Sequence, residues 1–494
     1  MSTTLSGRGK GTLERIAYRV MDERGFSTDF STAVLNELKK IQEPNEAEKS
    51  VGKDLRHLLW ASIDNDDSLD LDQLTVAESL PDKSVKILVA IADVDVLVKK
   101  NSAIDDHARQ NTTSVYTAGK IFSMIPEKLS TDLTSLNDAE DRLAIIIEMV
   151  INSTGEMQSS DTYRALVRNH AKLAYSSVAA WLESKGPMPE AVKVVSGLAE
   201  NLCIQDRVAQ TLKAFRHDHG ALDLQTIEAR PVFDGDRIQD LRVDERNRAK
   251  EIIEDFMIAA NGVTARFLHR GKIPSLRRMV RSPKRWGRIV EIATQHHFQL
   301  PQEPDSKALA HFLIEQKTAD PLRFPDLSLS IINLLGPGEY VVELPGETIS
   351  GHFGLAVKDY THSTAPNRRF PDLITQRILK ATLGETPMPY SQEELVELAR
   401  HCTEKEDDAN KVERLVAKSG AAMLLSSRIG DHFDAICTGA ADKGTWVRIF
   451  HPPVEGRLIY GYEGVDVGNH LRVRLIHTDV EKGYIDFEKV HLNH

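Results

Sequence analysis

Four hundred and ninety-four residues, 41% apolar and 27% charged, are too many for one hydrophobic core and too apolar for a disordered chain; two to four domains are expected. The balance is acidic, with 62 Lys and Arg against 73 Asp and Glu for a formal net charge of −11, which taken alone argues against a polyanionic partner. The three cysteines, Cys203, Cys402 and Cys437, have neither zinc-ligand spacing nor the count of a disulfide framework, so a reducing, cytoplasmic setting is expected. The N-terminal residues lack a long apolar run, and the longest one, around Ala144–Ile151, is interrupted by Glu148. Neither a secretory signal nor a membrane span is expected.

In chain order, residues 13–41 carry two helix-period runs, Ile16, Val20 and Met21, then Val34, Leu35 and Leu38, parted by Gly25 and a Ser/Thr/Asp cluster. They read as a small helical module, either a helix-turn-helix or a packing arm for the next domain. The densest chemical signal follows at Ser62–Gln73, where Asp64, Asp66, Asp67, Asp70 and Asp72 fall within nine residues. Residues 61–110 hold 11 acids and 5 bases, a net of −6, so over half of the chain's charge excess is concentrated there. Carboxylates this close repel one another unless a cation binds, and hard oxygen-ligand ions, Mg²⁺ or Mn²⁺, are the natural answer. An EF-hand is excluded, because its sixth and twelfth positions would be Leu69 and Thr75. The plain alternative is a solvated acidic turn.

Val85–Ala92 and Ala144–Ile151 read as buried strands and Asn247–Arg270 as a long helix. Loops are expected at Glu183–Glu190, Pro301–Ser306 and Gly384–Glu394. Arg266–Arg288 holds nine Lys and Arg, among them Arg278 and Arg281, and no acid. That is an electrostatic footprint for a nucleic-acid backbone, or a surface paired with acidic neighbours. At Thr361–Leu373 a polar loop leads to Arg368 and Arg369, and Pro371 opens a helix; helix N-termini and bidentate arginines both favour phosphate. The last ~75 residues are short strands punctuated by glycines, the pattern of a small β-barrel.

Taken together, these stretches resemble the ribonuclease II/R family, built on the RNB catalytic domain. The resemblance is carried by the Asp64–Asp72 motif, VAIADV at Val89–Val94, IPEKLSTDLTSL at Ile125–Leu136, HAKLAYSSV at His170–Val178, EDFMIAAN at Glu254–Asn261, HFGLAV at residues 352–357 and THSTAPNRRFPDLITQRILKA at residues 361–381. The segment from Gly430 resembles an S1-type RNA-binding barrel, an OB-fold variant. The implied architecture is an α+β multidomain chain: a helical module over residues 1–53, a mixed α/β RNB-type domain over 54–420, and an S1-type domain over 421–494.

The resemblance implies a processive 3′→5′ exoribonuclease that hydrolyses single-stranded RNA to 5′-mononucleotides in RNA decay or processing, with no obligate protein partner. Asp64, Asp70 and Asp72 would hold Mg²⁺, with Mn²⁺ as substitute, and activate the attacking water. Tyr175 would hold the scissile phosphate and Arg368 would stabilise its charge. Glu413 would lie near the 3′-terminal nucleotide, and Glu254 or Asp255 would contact ribose, which is how such a site tells RNA from DNA. Tyr116 would stack or pack along the RNA path; Arg278, Arg281, Arg369 and Trp446 complete the expected RNA contacts.

Three departures stand out. Gln73 follows Asp72 where the family motif often has a second aspartate; an amide is a weaker metal ligand, which leaves one metal or two open, with Asp66 or Asp67 as replacements. Leu224 stands where relatives place a base-clamping aromatic. The ~53 residues ahead of the domain cannot hold the family's paired cold-shock barrels. Gln73 also motivates the rival reading, a catalytically impaired RNA-binding protein on the same fold.

Overall fold

The computed structural model describes residues 9–44, 52–227, 229–243, 246–321, 323–347, 351–441 and 444–490. Residues 45–51, at the expected first boundary, lie outside the described residues. The chain opens with α1 (Lys10–Glu23) and α2 (Thr32–Leu38); the Ser31 hydroxyl caps α2 by accepting from the Val34 N–H. Then come β1 (Lys53–Asp54), β2 (Ala61–Asp64), β3 (Gln73–Ser79), β4 (Val85–Ala92), α3 (Ala103–Asn111), a small hairpin β5 (Val115–Tyr116) and β6 (Ile121–Phe122), β7 (Asp141–Ile151), β8 (Met157–Arg168) and β9 (Ala171–Ala174). Except for the hairpin these strands form one sheet, ordered β1-β8-β7-β4-β3-β2-β9, antiparallel across its centre and parallel at its two outer pairs.

The second half is mainly helical: α4 (Tyr175–Leu182), α5 (Glu190–Lys193), α6 (Leu198–Asp218), a hairpin β10 (Ala229–Asp234) and β11 (Arg237–Val243), then α7 (Arg248–Arg270). Strand β12 (Ser275–Met279) is separated by α8 (Trp286–Gln295), α9 (Ser306–Ala319) and α10 (Phe324–Leu335) from its partner β13 (Glu339–Glu343). Helices α11 (Phe370–Leu383) and α12 (Gln392–Leu425) precede a closed barrel of β14 (His432–Ala441), β15 (Gly444–Ile449), β16 (Val454–Tyr460), β17 (His470–Asp479) and β18 (Tyr484–Lys489).

The sheet is buried on both faces, which explains why β4 reads as an unbroken apolar run. Side chains alternate across a strand. Ile87, Val89 and Ile91 pack with Val208 and Leu212 of α6 and Phe256 and Val263 of α7, while Leu88, Ala90 and Ala92 pack with Leu373, Ile374 and Ile378 of α11. Helix α7 starts at Asn247, whose side-chain oxygen accepts from the Lys250 N–H. Helix α11 carries Pro371 in its first turn, as expected.

Helix α12, 34 residues and about 50 Å long, is the spine of the molecule. Its middle holds α1: Leu13, Ile16, Val20 and Met21 bury against Ala409, Val412 and Val416, joined by Val115 and Phe122 of the β5–β6 hairpin. Of the two readings of the N-terminal module, the geometry is that of a packing arm. The last turn of α12 plugs the barrel, where Ala422 and Leu425 meet Phe433, Cys437, Leu475 and Phe487. The expected division at residue 420 therefore falls inside a continuous helix. A buried ion pair, Arg448 to Asp326 at 2.8 Å, ties β15 to α10.

Ile16 is fully buried between α1 and α12. Ile16→Ala is expected to cost about 2–5 kcal/mol, read as a fall in denaturation midpoint with an unchanged urea m-value.

Candidate active site

The site assembles at the end of the sheet where β2 stops and β3 starts. Asp64 is the last residue of β2 and pairs in parallel register with Ala174 of β9, so Tyr175, the first residue of α4, follows directly beside it. The Asp64 carboxylate accepts from the Asn65 N–H and the Ser68 hydroxyl of its own loop. Further along, Leu71 is buried in the core, its N–H donating to the Ser135 hydroxyl, between Asp70 and Asp72.

Asp72 is 1% exposed. Its carboxylate accepts from the Arg368 Nε at 2.9 Å and from the Asn367 backbone N–H at 3.1 Å. Asp70 accepts from the Tyr116 hydroxyl at 2.7 Å, and the Tyr116 N–H donates to Glu413 on α12 at 2.8 Å. Two continuous hydrogen-bonded groups thus stand side by side, Arg368–Asp72 and Asp70–Tyr116–Glu413. Five residues predicted from distant parts of the sequence come together here. The Arg368 side chain remains 43% exposed.

The loop bearing Arg368 is held from below. The Ser363 N–H and hydroxyl donate to Asn261 of α7, and the Thr361 hydroxyl donates to the Leu276 carbonyl. The Ala365 N–H donates to Asp372, and the Arg368 carbonyl accepts from the Ser114 N–H. Sequence reasoning did not single out Asn261 or Asp372. Their signals were a lone amide within the apolar run of a long helix and an acid in the first turn of a Pro-initiated helix.

The other predicted residues lie apart. Asp255 is buried on α7 and pairs with Arg216 at 2.5 Å; burial, opposed by Arg216, pushes its pKa up to about 6. Its neighbour Glu254 is exposed and pairs with Arg246. Arg369 donates to Asp372 at 2.7 Å, and Arg278 stands over the Tyr340 ring while pairing with Glu406. Arg281 pairs with Glu339 but stays largely exposed. Trp446 is half-buried on β15, cross-strand from Arg457. The basic stretch is therefore distributed over α7, β12 and α8, with several of its charges met by acids from β13 and α12.

Burial pushes the Asp72 pKa up to about 7; Arg368 opposes this and Asp70 adds to it. One guanidinium does not offset two carboxylates in this setting, and hard oxygen donors short of positive charge suit a divalent cation. Among the described residues no three Asp, Glu, His or Cys side chains converge on one point as they stand, and Asp64 remains turned to its own loop.

Comparison with known families places this geometry. The RNB domain model matches residues 52–385. The chain belongs to the RNB family. The RNase II-type exonuclease C-terminal S1 domain matches residues 431–490, which is the closed barrel. Members of this family depend on a divalent metal. Among curated relatives, the chain is 28% identical over 507 residues to ribonuclease R of Vibrio parahaemolyticus, covering 94% of this chain and 59% of that protein. It is 30% identical over 426 residues to ribonuclease R of Escherichia coli, covering 83% and 51%. The chain thus spans between about half and three-fifths of the length of these relatives. The structure of Mycoplasma genitalium RNase R in complex with ribose-methylated single-stranded RNA superposes with a TM-score of 0.86 at 23% identity, covering 97% of this chain and 78% of that one, a likeness of fold. No described helix is long and apolar enough to cross a membrane.

The hairpin that carries Tyr116 rests on α1 with no room to spare. A Cβ at Gly119 would lie 2.5 Å from the Glu14 nitrogen, and Lys120 stands over the Tyr18 ring. Gly119→Ala is expected to part α1 from the hairpin, lowering the melting temperature and opening residues 10–23 to limited proteolysis.

Asp255 titrates near 6 in the fold against 3.8 for the free side chain, so the folded state binds the extra proton and the protein loses stability as pH rises from about 4 to about 6. Asp255→Asn is expected to flatten that limb in urea denaturation across the same range.

Proposed function

We propose that the chain is a metal-dependent 3′→5′ exoribonuclease that degrades single-stranded RNA processively to 5′-mononucleotides, in a cytoplasmic setting. The observation that carries this reading is the buried Asp72 carboxylate held by a partly exposed Arg368 beside Asp70, in a chain of the RNB family that carries an S1-type barrel. The three free cysteines suit a reducing compartment.

Asp64, Asp70 and Asp72 would hold Mg²⁺, or Mn²⁺ in its place, which when bound polarises a phosphate oxygen and lowers the pKa of a water. Arg368 uses Nε on Asp72, which leaves its two Nη groups to donate to a phosphate, where fixed donors stabilise charge that develops during displacement. Tyr175, opening α4 beside Asp64, steadies the scissile phosphate. Tyr116 anchors Asp70 through its hydroxyl and keeps a partly exposed ring for a base to stack on, while Glu413 fixes that hairpin close to the 3′-terminal nucleotide. Glu254 or Asp255 is the acid for a ribose 2′-hydroxyl; Glu254 is the exposed one of the two, while Asp255 is buried against Arg216. Exposed Arg281 and half-buried Trp446 contact RNA upstream. Arg278 and Arg369, engaged by Glu406 and Asp372, shape the field around it.

The test is 5′-labelled single-stranded RNA and DNA incubated with the full chain in Mg²⁺ or EDTA. RNA is expected to shorten from its 3′ end in Mg²⁺ alone, and Asp72→Asn or Arg368→Ala is expected to slow it by about a hundredfold or more. Binding without shortening would establish the non-catalytic reading. Internal cuts, or equal cleavage of DNA, would overturn the assignment.

A further inference from the structure

At the end of the sheet away from Asp72 lies a cavity of about 570 Å³ between the first residues of β8 and helices α6 and α7. The start of β8 is level with Val85 through Ile151, seven residues along β4 from Ala92, whose N–H donates to the Asp72 carbonyl, so this end is offset from Asp72 by roughly 23 Å along the strands at ~3.3 Å per residue. In a chain of net charge −11, its lining contains three arginines and no carboxylate.

Arg216 is committed to Asp255, but Arg266 and Arg270 make no ion pair among the described residues. Arg266 is partly buried, and its hydrogen bond goes to the Met157 sulfur at 3.3 Å. Burial works against its charge, with Asp359 the one nearby acid. A desolvated guanidinium without a carboxylate is destabilising unless an anion arrives. Gly262 keeps the approach open, since a Cβ there would come within 3.1 Å of the Arg266 Nη1. The rest of the wall divides in two: Leu212, Phe215 and Ile258 make an apolar face, and Ser160, cross-strand from Met149 on the face covered by α6 and α7, offers a hydroxyl. A ligand matching both halves has an anionic end and a flat apolar body, and the volume suits a small molecule.

We propose that this cavity is a second ligand site that takes a nucleoside 5′-phosphate, with the phosphate on Arg266 and Arg270 and the base against Leu212 and Phe215. The site stands apart from the catalytic groups and does not rest on the nuclease reading. The same phosphate chemistry is presented by a free nucleotide and by a nucleotide unit within RNA; a pocket of about 570 Å³ with both an anion-binding and an apolar wall favours the free form.

The test is equilibrium dialysis of the full chain with 5′-AMP in EDTA, where no turnover occurs, in an Arg368→Ala background that removes the catalytic phosphate contact. One saturable AMP site per chain is expected. Adding Arg266→Ala with Arg270→Ala should weaken it roughly ten- to a hundredfold. Exposed Arg270→Glu alone should weaken it without changing the melting temperature. Ala259→Phe, which fills the cavity and spares both guanidiniums, should weaken AMP while leaving inorganic phosphate unchanged. Affinity for a single-stranded RNA oligonucleotide should be unaffected by the arginine pair. Absence of saturable AMP binding, AMP binding indifferent to all three variants, or a loss confined to the oligonucleotide would overturn the proposal.

Discussion

Everything at the candidate active site turns on one constraint: a carboxylate is buried at the mouth of β3 and must be met by charge. Asp72 lies beneath the surface, and the group that meets it arrives from 296 residues away on a loop with no regular structure of its own. That loop is fixed because the helix behind it is fixed. Arg377 of α11 pairs with Asp95, just beyond β4, and with Asp105 of α3, and Lys380 pairs with Asp93 and Asp95. Buried ion pairs of this kind add little net stability, but they strongly penalise any other placement of the helix. Arg368 inherits that placement.

Much of this was legible in the sequence, and for identifiable reasons. Strands β4 and β7 were plain because both sheet faces are covered and the apolar run is unbroken; α7 was plain from its 3.6-residue period. Strand β8, although twelve residues long, was not, because its first half, Met157–Asp161, is largely solvent-facing and polar. The candidate site was legible where its chemistry is local, in the Asp64–Asp72 loop and in Arg368. It was illegible where a partner comes from elsewhere. Nothing near Asp70 announces that Tyr116 will donate to it, and nothing near Ser363 announces Asn261.

Charge shows the same limit. The nine cations of Arg266–Arg288 look uncompensated within their own window, yet Arg277 meets Glu343, Arg278 meets Glu406 and Arg281 meets Glu339, all from elements 58 to 128 residues further on. The unmatched cations are fewer, and Arg266 and Arg270 face a cavity that the linear pattern did not mark. A window of sequence counts charges; only the fold shows which are neutralised.

The long helix α12 has a consequence for how the molecule can be cut. Glu413 holds the Tyr116 hairpin and Leu425 sits in the barrel core, twelve residues and about 18 Å apart on one rigid rod. The barrel and the hairpin beside Asp70 are thereby packed on one and the same helix. A barrel grafted from another chain at residue 421 would sever that helix; a functional chimera must carry the whole helix from Gln392 with it.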